Sequence, residues 1–541
     1  MDYSAFKQKF NISLNDEQDK AVKEVDGPVL LLAVPGSGKT TALITRLGYM
    51  IFGKGISAEN ILTVTYTVSA TKEMAERFKA MFNAKENDTP EFRTINGMSA
   101  SIIINYEKQT GSKGLRLVTD EKRLAEIVNR CYRRYVAIYP TDADIKNCRT
   151  QITYAKNMML TDSEITALDV DGFPFSKIYK DYCNELVQNN LMDYDDQMVY
   201  AYKILTENSD LLEFYRQKYK YVCVDEAQDT SKIQHKIIAL LVDKNRNIFM
   251  VGDEDQSIYG FRAAYPDALM NFAKNYSGAK VFYLEKNYRS TPSIVDAAKR
   301  FIDKNKRRHE KNMSAVRDGG EDICQVTVVG RRGQYSHIVS VAEKCTEETA
   351  VLYRDNESVL PVVDLLERKG IAYNIRNAEL TFFTNRVVQD VTNIIKFAYN
   401  PKSVELFTQI YYKIATFLQK EKVRIACDIS KKKSLPVLDA VISYADVNSR
   451  TATSCSLVRT WLKNLTKQSA SDALTIIRTQ LGYDKYLSRC NMSNKSLDIL
   501  KELAKQENSN FQSTKIHQFK SMLRKEEALN KKIKENLKMK N

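Results

Sequence analysis

Val29-Leu30-Leu31-Leu32-Ala33-Val34-Pro35-Gly36-Ser37-Gly38-Lys39-Thr40-Thr41 is the stretch whose reading decides the fold. Its first residues form an unbroken apolar run, the pattern of a strand covered on both faces in a parallel sheet, and a glycine-rich turn and a helix follow. Strand, turn and helix in that order make a phosphate cradle. Gly36 and Gly38 permit the tight backbone that turns N–H groups inward, Lys39 brings a mobile positive charge to the β- and γ-phosphates, and Thr40 offers a hydroxyl to Mg²⁺. Pro35, Gly36, Ser37, Gly38, Lys39, Thr40 and Thr41 are the expected nucleotide contacts, with Arg46 further along the same helix. Ala33 stands where the general pattern has its first glycine.

Upstream, Leu14-Asn15-Asp16-Glu17-Gln18 opens a short helix that Asp26-Gly27-Pro28 ends before the strand. The Gln18 amide carries the donor and acceptor that the N6/N7 edge of adenine needs; a plain glutamine at a helix start is the competing reading. Downstream, Ile61 to Thr65 reads as a second parallel strand with Tyr66-Thr67 at its carboxyl end, the edge at which open α/β sheets bind ligands. Tyr221 to Val224 is a further strand, and it delivers Asp225-Glu226-Ala227-Gln228-Asp229-Thr230 to that edge. Asp225 suits a second metal contact and Glu226 the activation of an attacking water, against the alternative of a solvated acidic loop. Ile248 to Val251 leads into Gly252-Asp253-Glu254-Asp255-Gln256-Ser257-Ile258-Tyr259-Gly260-Phe261-Arg262. There Gln256 can sense a γ-phosphate, and Tyr259, Phe261 and Arg262 form either a stacking platform for single-stranded bases or local core. Val281 to Leu284 precedes Glu285-Lys286-Asn287-Tyr288-Arg289-Ser290-Thr291-Pro292, a helix start, and then the basic cluster Lys304, Lys306, Arg307, Arg308 and Lys311, which reads either as a solvated face or as one turned toward phosphates.

The whole-chain properties agree with a nucleic-acid partner without requiring one. The 541 residues exceed what one core organises, and Lys+Arg 82 against Asp+Glu 67 leaves a net charge of +15. Nine cysteines include no C-x-x-C pair and the four histidines are scattered, so zinc and iron–sulfur chemistry are not indicated. No apolar run reaches the ~18 residues of a membrane span, and the charged start is no signal peptide. A cytoplasmic protein without a membrane partner is the expectation.

Taken together and in this order, these stretches resemble the UvrD/PcrA/Rep family of superfamily 1 DNA helicases over about residues 14 to 400. Gln18 matches the family's adenine-contacting glutamine, Ala33 to Thr40 its motif I, Thr65-Tyr66-Thr67 its Thr-Phe-Thr, Asp225 to Thr230 its motif II, Val251 to Arg262 its motif III and Leu284 to Thr291 its motif IV. The resemblance implies ATP and Mg²⁺ as cofactors, held by Thr40 and Asp225, and catalysis by Lys39, Asp225, Glu226, Gln256 and Arg289, the last as an arginine finger. It implies that Tyr288 stacks near adenine, and that Thr65, Tyr66, Asn96, Tyr259, Phe261 and Arg262 contact DNA. The activity implied is 3′ to 5′ ATP-dependent translocation on single-stranded DNA and at single-strand/duplex junctions, in repair or replication restart. The implied architecture is α/β: a RecA-like P-loop motor domain in two parts (1–104 and 187–279), an inserted helical domain (105–186), the start of a second RecA-like domain (280–376, with strands at Gln325 to Val329 and Ala350 to Tyr353) and a helical accessory domain (377–541).

Several positions depart from the family pattern. Asn96 replaces a histidine, Val68-Ser69 replace Asn-Lys, and Thr384-Asn385 replace the Glu-Arg that follows Phe382-Phe383. The family's Thr-x-His-x-x-Lys-Gly-Leu-Glu motif and its late arginine motif are not matched before Asn541, where the chain carries a helical stripe of Ile516, Phe519, Met522, Leu523, Leu529, Ile533 and Leu537. On that ground the second motor domain is expected to lack its C-terminal part. The alternatives that follow are a split protein that binds ATP and DNA but needs another polypeptide for the missing motifs, or the helicase subunit of a helicase–nuclease complex, although no nuclease motif is visible.

Overall fold

In the computed structural model, residues 1–508 are described except for 137–139, 141, 171–172, 243–245, 356, 376–381, 383–384 and 491. They divide into two compact units, Met1–Cys324 and Gln325–Asn541.

The first unit is built on a six-stranded sheet. In chain order its strands are β1 (Val29–Ala33), β2 (Ile61–Thr65), β3 (Glu91–Thr94), β4 (Tyr221–Val224), β5 (Ile248–Gly252) and β6 (Lys280–Leu284), arranged β3-β2-β4-β5-β1-β6 with every pairing parallel. The period of two explains why β1 reads as continuously apolar: its alternate side chains enter different cores. Val29, Leu31 and Ala33 pack with Phe6, Val22, Leu43 and Leu47 on one face. Leu30 and Leu32 pack with Met98, Met198, Ile237 and Ile238 on the other. A strand buried on both faces is fixed in register, and so is everything at its carboxyl end.

Parallel strands need crossovers, and the crossovers here carry the helices. Helix α1 (Asp16–Lys23) starts with a capping box in which Asn15 and Gln18 satisfy each other's backbone. Helix α2 (Lys39–Gly48) begins at Gly38, whose φ of 83° would strain any residue with a side chain. The crossover between β3 and β4 holds a helical insertion. Helices Glu121–Tyr135, Asp142–Asn157 and Phe175–Gln188 share a separate core that includes Val128, Cys131, Cys148, Ile152, Phe175 and Ile178. A short parallel pair, Arg116–Leu117 with Leu191–Met192, closes its base.

Lys280–Leu284, expected to open a second motor domain, pairs along its whole length with β1 as the sixth strand of the first sheet, and the chain stays with this unit up to Cys324. The reason is that β1 has two edges, one taken by β5 and the other left for β6.

Among the described residues, the regular elements of the second unit are all helices. Its core centres on helix Arg386–Tyr399, with Val388, Val391, Ile394 and Phe397 packed against Phe407, Leu474, Ile477 and Leu500. Asp390 is buried there and accepts from Lys413 Nζ (2.6 Å) and the Tyr483 hydroxyl (2.9 Å). The strands expected at Gln325 to Val329 and Ala350 to Tyr353 are not formed. Apolar composition makes a strand only where a partner offers backbone pairing, and among the described residues none does: Val329 is 98% and Leu352 95% exposed. Phe382 is buried, whereas Phe383, Thr384 and the stripe from Ile516 to Leu537 lie outside the described residues.

Candidate nucleotide and nucleic-acid site

All six strands of the first sheet point their carboxyl ends to one edge, and the candidate residues gather there because the segments following β1, β2, β3, β4, β5 and β6 begin at that edge. The cradle is held from both sides. Gln18 Nε2 donates to the Ser37 carbonyl (2.9 Å), and the Asn15 N–H donates to Gln18 Oε1 (3.1 Å). A Cβ on Gly38 would come within 2.6 Å of Gln18 Nε2 and displace that amide, but it is the positive φ that makes glycine necessary there. From the other side Asn287 Nδ2 donates to the Pro35 carbonyl (2.7 Å), and the Tyr288 N–H donates to the Gly36 carbonyl (3.0 Å). A Cβ on Gly36 would meet the Arg289 Cβ at 2.7 Å. Asn15 Nδ2 also donates to the Tyr288 hydroxyl (2.7 Å), which ties the two flanks together.

These contacts change the reading of three residues. Gln18, expected to contact adenine, places Nε2 on the Ser37 carbonyl and Oε1 on the Asn15 N–H and so shapes the cradle. Arg46 is corrected outright. Its guanidinium lies buried, donating to the carbonyls of Ala21 (3.0 Å), Glu24 and Val25 (2.9 Å) and stacked 4.2 Å from the Phe249 ring centroid. It caps the C-terminal end of α1 rather than a nucleotide, and burial lowers its pKa to about 10. Asn287, by contrast, lay unremarked between Lys286 and Tyr288, yet it clasps the cradle and also accepts from the Arg289 and Ser290 N–H groups (2.8 Å each).

Lys39 Nζ forms an ion pair with Glu226 Oε2 at 2.9 Å. Burial raises the pKa of Glu226, but Lys39 and a hydrogen bond from Gln228 Nε2 (2.7 Å) outweigh it and hold the carboxyl below its ordinary value, ionised at neutral pH. Glu226 sits at φ 46°, a left-handed conformation that a non-glycine residue adopts only when its surroundings impose it. Asp225 differs from its neighbour: burial, then the Glu226 charge, pushes its carboxyl up to about 6 against the pull of Lys39. Its Oδ1 is buried with no hydrogen-bond partner, and so is Ser37 Oγ in the cradle. An orphaned carboxylate oxygen beside a phosphate cradle fits a hard divalent cation such as Mg²⁺, whose charge offsets the cost of ionising Asp225. Thr40 stands in the first turn of α2 as the hydroxyl ligand of such a set.

After β5 the chain makes a second cluster. Gln256 Nε2 donates to Asp253 Oδ2 (2.6 Å), and the Asp253 N–H donates to Gln228 Oε1 (3.0 Å). Gln228, which sequence reading passed over, is therefore the bridge from Glu226 to Asp253. The same loop presents its aromatic residues. Tyr259 stacks with Tyr66 (ring centroids 5.7 Å, 23°) and lies 6.0 Å from Phe261, while the Arg262 guanidinium covers both Tyr259 (5.5 Å) and Phe261 (5.6 Å). Phe261 is 60% exposed, which core packing does not explain. Thr65, Tyr66, Asn96, Phe261 and Arg262 line a groove of about 1700 Å³ whose other wall comes from the helical insertion, through Asn129, Arg130, Lys146, Arg149, Thr153 and Asn157. Asn96 Oδ1 is buried at that groove without a partner. Arg289 is exposed next to Gly36, and its carbonyl accepts from Arg317 Nη1 (2.9 Å). Among the described residues no helix is long and apolar enough to cross a membrane.

Comparison with known proteins gives this geometry a family. The UvrD/REP helicase N-terminal domain model matches residues 14–277, and the UvrD-like helicase C-terminal domain model matches residues 282–541. Among curated relatives, the chain is 29% identical to a putative ATP-dependent DNA helicase, YjcD, of Bacillus subtilis, over 90% of this chain and 65% of the relative. It is 28% identical to the ATP-dependent DNA helicase PcrA of the same organism (86% and 64%), and 31% identical to a probable DNA helicase II homolog of Rickettsia conorii (73% and 61%). The chain thus spans somewhat under two thirds of the length of these relatives. The expectation that the second motor domain lacks its C-terminal part is not supported, because the C-terminal domain model extends over residues 282–541. His517-Gln518-Phe519-Lys520 keeps the His-x-x-Lys spacing of the motif thought absent, with Ser521-Met522 in place of Gly-Leu; these residues lie outside the described ones. With one family model on each side of residue 280, the chain belongs to the UvrD-like helicase family.

Proposed function

We propose that the chain is an ATP-driven motor that moves 3′ to 5′ along single-stranded DNA and acts at single-strand/duplex junctions. One observation carries the reading: a phosphate cradle and an exposed aromatic platform share a sheet edge, and a run of contacts, Lys39 to Glu226 to Gln228 to Asp253 to Gln256, leads from the cradle into the loop that carries the platform. In this reading the cradle N–H groups and Lys39 bind the triphosphate, and Tyr288 flanks the base. Thr40 and Asp225 would hold Mg²⁺, which when bound would supply charge neutralisation at the phosphates. Glu226, ionised and fixed by its strained backbone, accepts the proton of the attacking water. Gln256 reports the γ-phosphate position to the loop that carries Tyr259 and Phe261, and Arg289 brings positive charge to the transition state. On the DNA side, aromatic faces take bases irrespective of sequence while Arg262 and the basic residues of the insertion take phosphates.

The groove is tested by Phe261→Ala. Loss of a base-stacking aromatic is expected to cost about 1 to 3 kcal/mol in affinity for single-stranded DNA. Fluorescence anisotropy with a labelled oligonucleotide at several salt concentrations measures it, and the salt slope should stay unchanged because no phosphate contact is removed. Unaltered affinity would assign Phe261 no place in DNA binding. Polarity is read from oligonucleotides labelled at one end, with signal expected on arrival at the 5′ end.

A further inference from the structure

Lys311 is placed where a lysine is seldom found. Its side chain is 1% exposed, and its Nζ lies 2.5 Å from Asp253 Oδ1, 2.9 Å from Asp255 Oδ2 and 3.1 Å from Glu254 Oε1. Two of these three carboxylates have a second basic partner, and Asp253 is the one that depends on Lys311. Arg308 already pairs with Asp255 through both of its oxygens (2.8 to 3.1 Å), and His309 bonds Glu254 through its N–H (2.7 Å) and its ring. Among these three basic residues Lys311 alone reaches Asp253, and Asp253 is the residue whose other oxygen holds Gln256 and whose N–H holds Gln228. A buried ammonium contributes little net stability, but it fixes one arrangement of the groups around it.

The other end of the connection is equally definite. Next to Lys311, the Asn312 N–H donates to Glu285 Oε1, and Ser314–Ala315 pairs in parallel with Lys286–Asn287. Lys311 therefore sits in the same local frame as Asn287, which clasps the cradle, and Arg289, which stands beside Gly36. We propose that Lys311 is a positioning residue that couples the Arg289-bearing segment to Gln256 through Asp253, so that the finger and the γ-phosphate sensor take their places together. Through Gln228 the same contact reaches Glu226, and along the loop it reaches Tyr259 and Phe261. This rests on the reading of Lys39, Asp225 and Glu226 as an ATP-hydrolysing site.

The test is a double-mutant cycle read by steady-state ATP hydrolysis in saturating single-stranded DNA. Lys311→Met keeps the length of the side chain and removes its charge, and Lys311→Gln is a second version that tolerates polar surroundings. Either is expected to lower kcat by about tenfold or more while KM for ATP moves by less than about threefold, a split that general loosening of the fold does not produce. Combined with Gln256→Ala, Lys311→Met should lower kcat no further than Gln256→Ala does alone, because the two residues act in one chain. Unchanged kcat in both single variants, multiplication of the two effects in the double variant, or joint loss of folding and nucleotide binding in both single variants would each overturn the proposal. Wild type that hydrolyses ATP while the variants match it sinks this inference alone; wild type without hydrolysis sinks the reading beneath it.

Discussion

Glu226→Gln is expected to lower DNA-stimulated phosphate release about 10²- to 10⁴-fold while ATP still binds, the range that general base catalysis contributes. The substitution preserves size, leaves an acceptor for Lys39 and Gln228, and takes away only the proton affinity. Lys39 and Gln228 hold Glu226 ionised at neutral pH, whereas burial and the Glu226 charge push Asp225 up to about 6, and it is the unpartnered Oδ1 of Asp225 that suits a cation. ATP affinity in the variant should hold or rise, since Lys39 no longer shares its charge with a carboxylate. Single-turnover phosphate release alongside equilibrium nucleotide binding separates the two. Hydrolysis at the wild-type rate would make Glu226 a partner of Lys39 and nothing more.

Lys39→Ala should behave in the opposite way, failing at binding. A charge-assisted contact to phosphate is lost, and Glu226 is left beside the cradle without its ion-pair partner, so a carboxylate then faces the incoming phosphates. Together these effects are expected to weaken ATP binding about 100-fold or more, roughly 3 kcal/mol. Isothermal calorimetry in Mg²⁺ measures it directly, and equal affinities would remove the cradle from the account. Tm should change little, because Lys39 contributes to no apolar core.

The contrast between these variants shows what was legible in the chain. The cradle could be read because one local segment carries it all: apolar run, two glycines, lysine and threonine fall within a strand, a turn and the first turn of a helix. Asp225 and Glu226 were legible for the same reason, as acids delivered by an apolar strand. Arg46 was not. It lies seven residues after Lys39, about two turns down α2, and only the position of α1 decides that its donors meet the carbonyls of Ala21, Glu24 and Val25. The roles of Gln228, Asn287 and Lys311 were not legible because the partners that define them are 25, 252 and 58 residues away, and nothing local marks a side chain that will cross such a distance. The strands expected near Gln325 and Ala350 failed on the same physics, since a strand is defined by its neighbour. That Lys280–Leu284 would join the first sheet was not legible either, because it depends on an edge of β1 that is open to pairing.

The account stands or falls on the coupling of nucleotide chemistry at the cradle to DNA in the groove. The most direct measurement is steady-state ATP hydrolysis by the wild-type protein with and without a single-stranded oligonucleotide, with Lys39→Ala as the control. Stimulation of about tenfold or more, some 1.4 kcal/mol off the barrier, is predicted for the wild type and none for the variant. Hydrolysis that is indifferent to DNA, or that survives unchanged in Lys39→Ala, would contradict it.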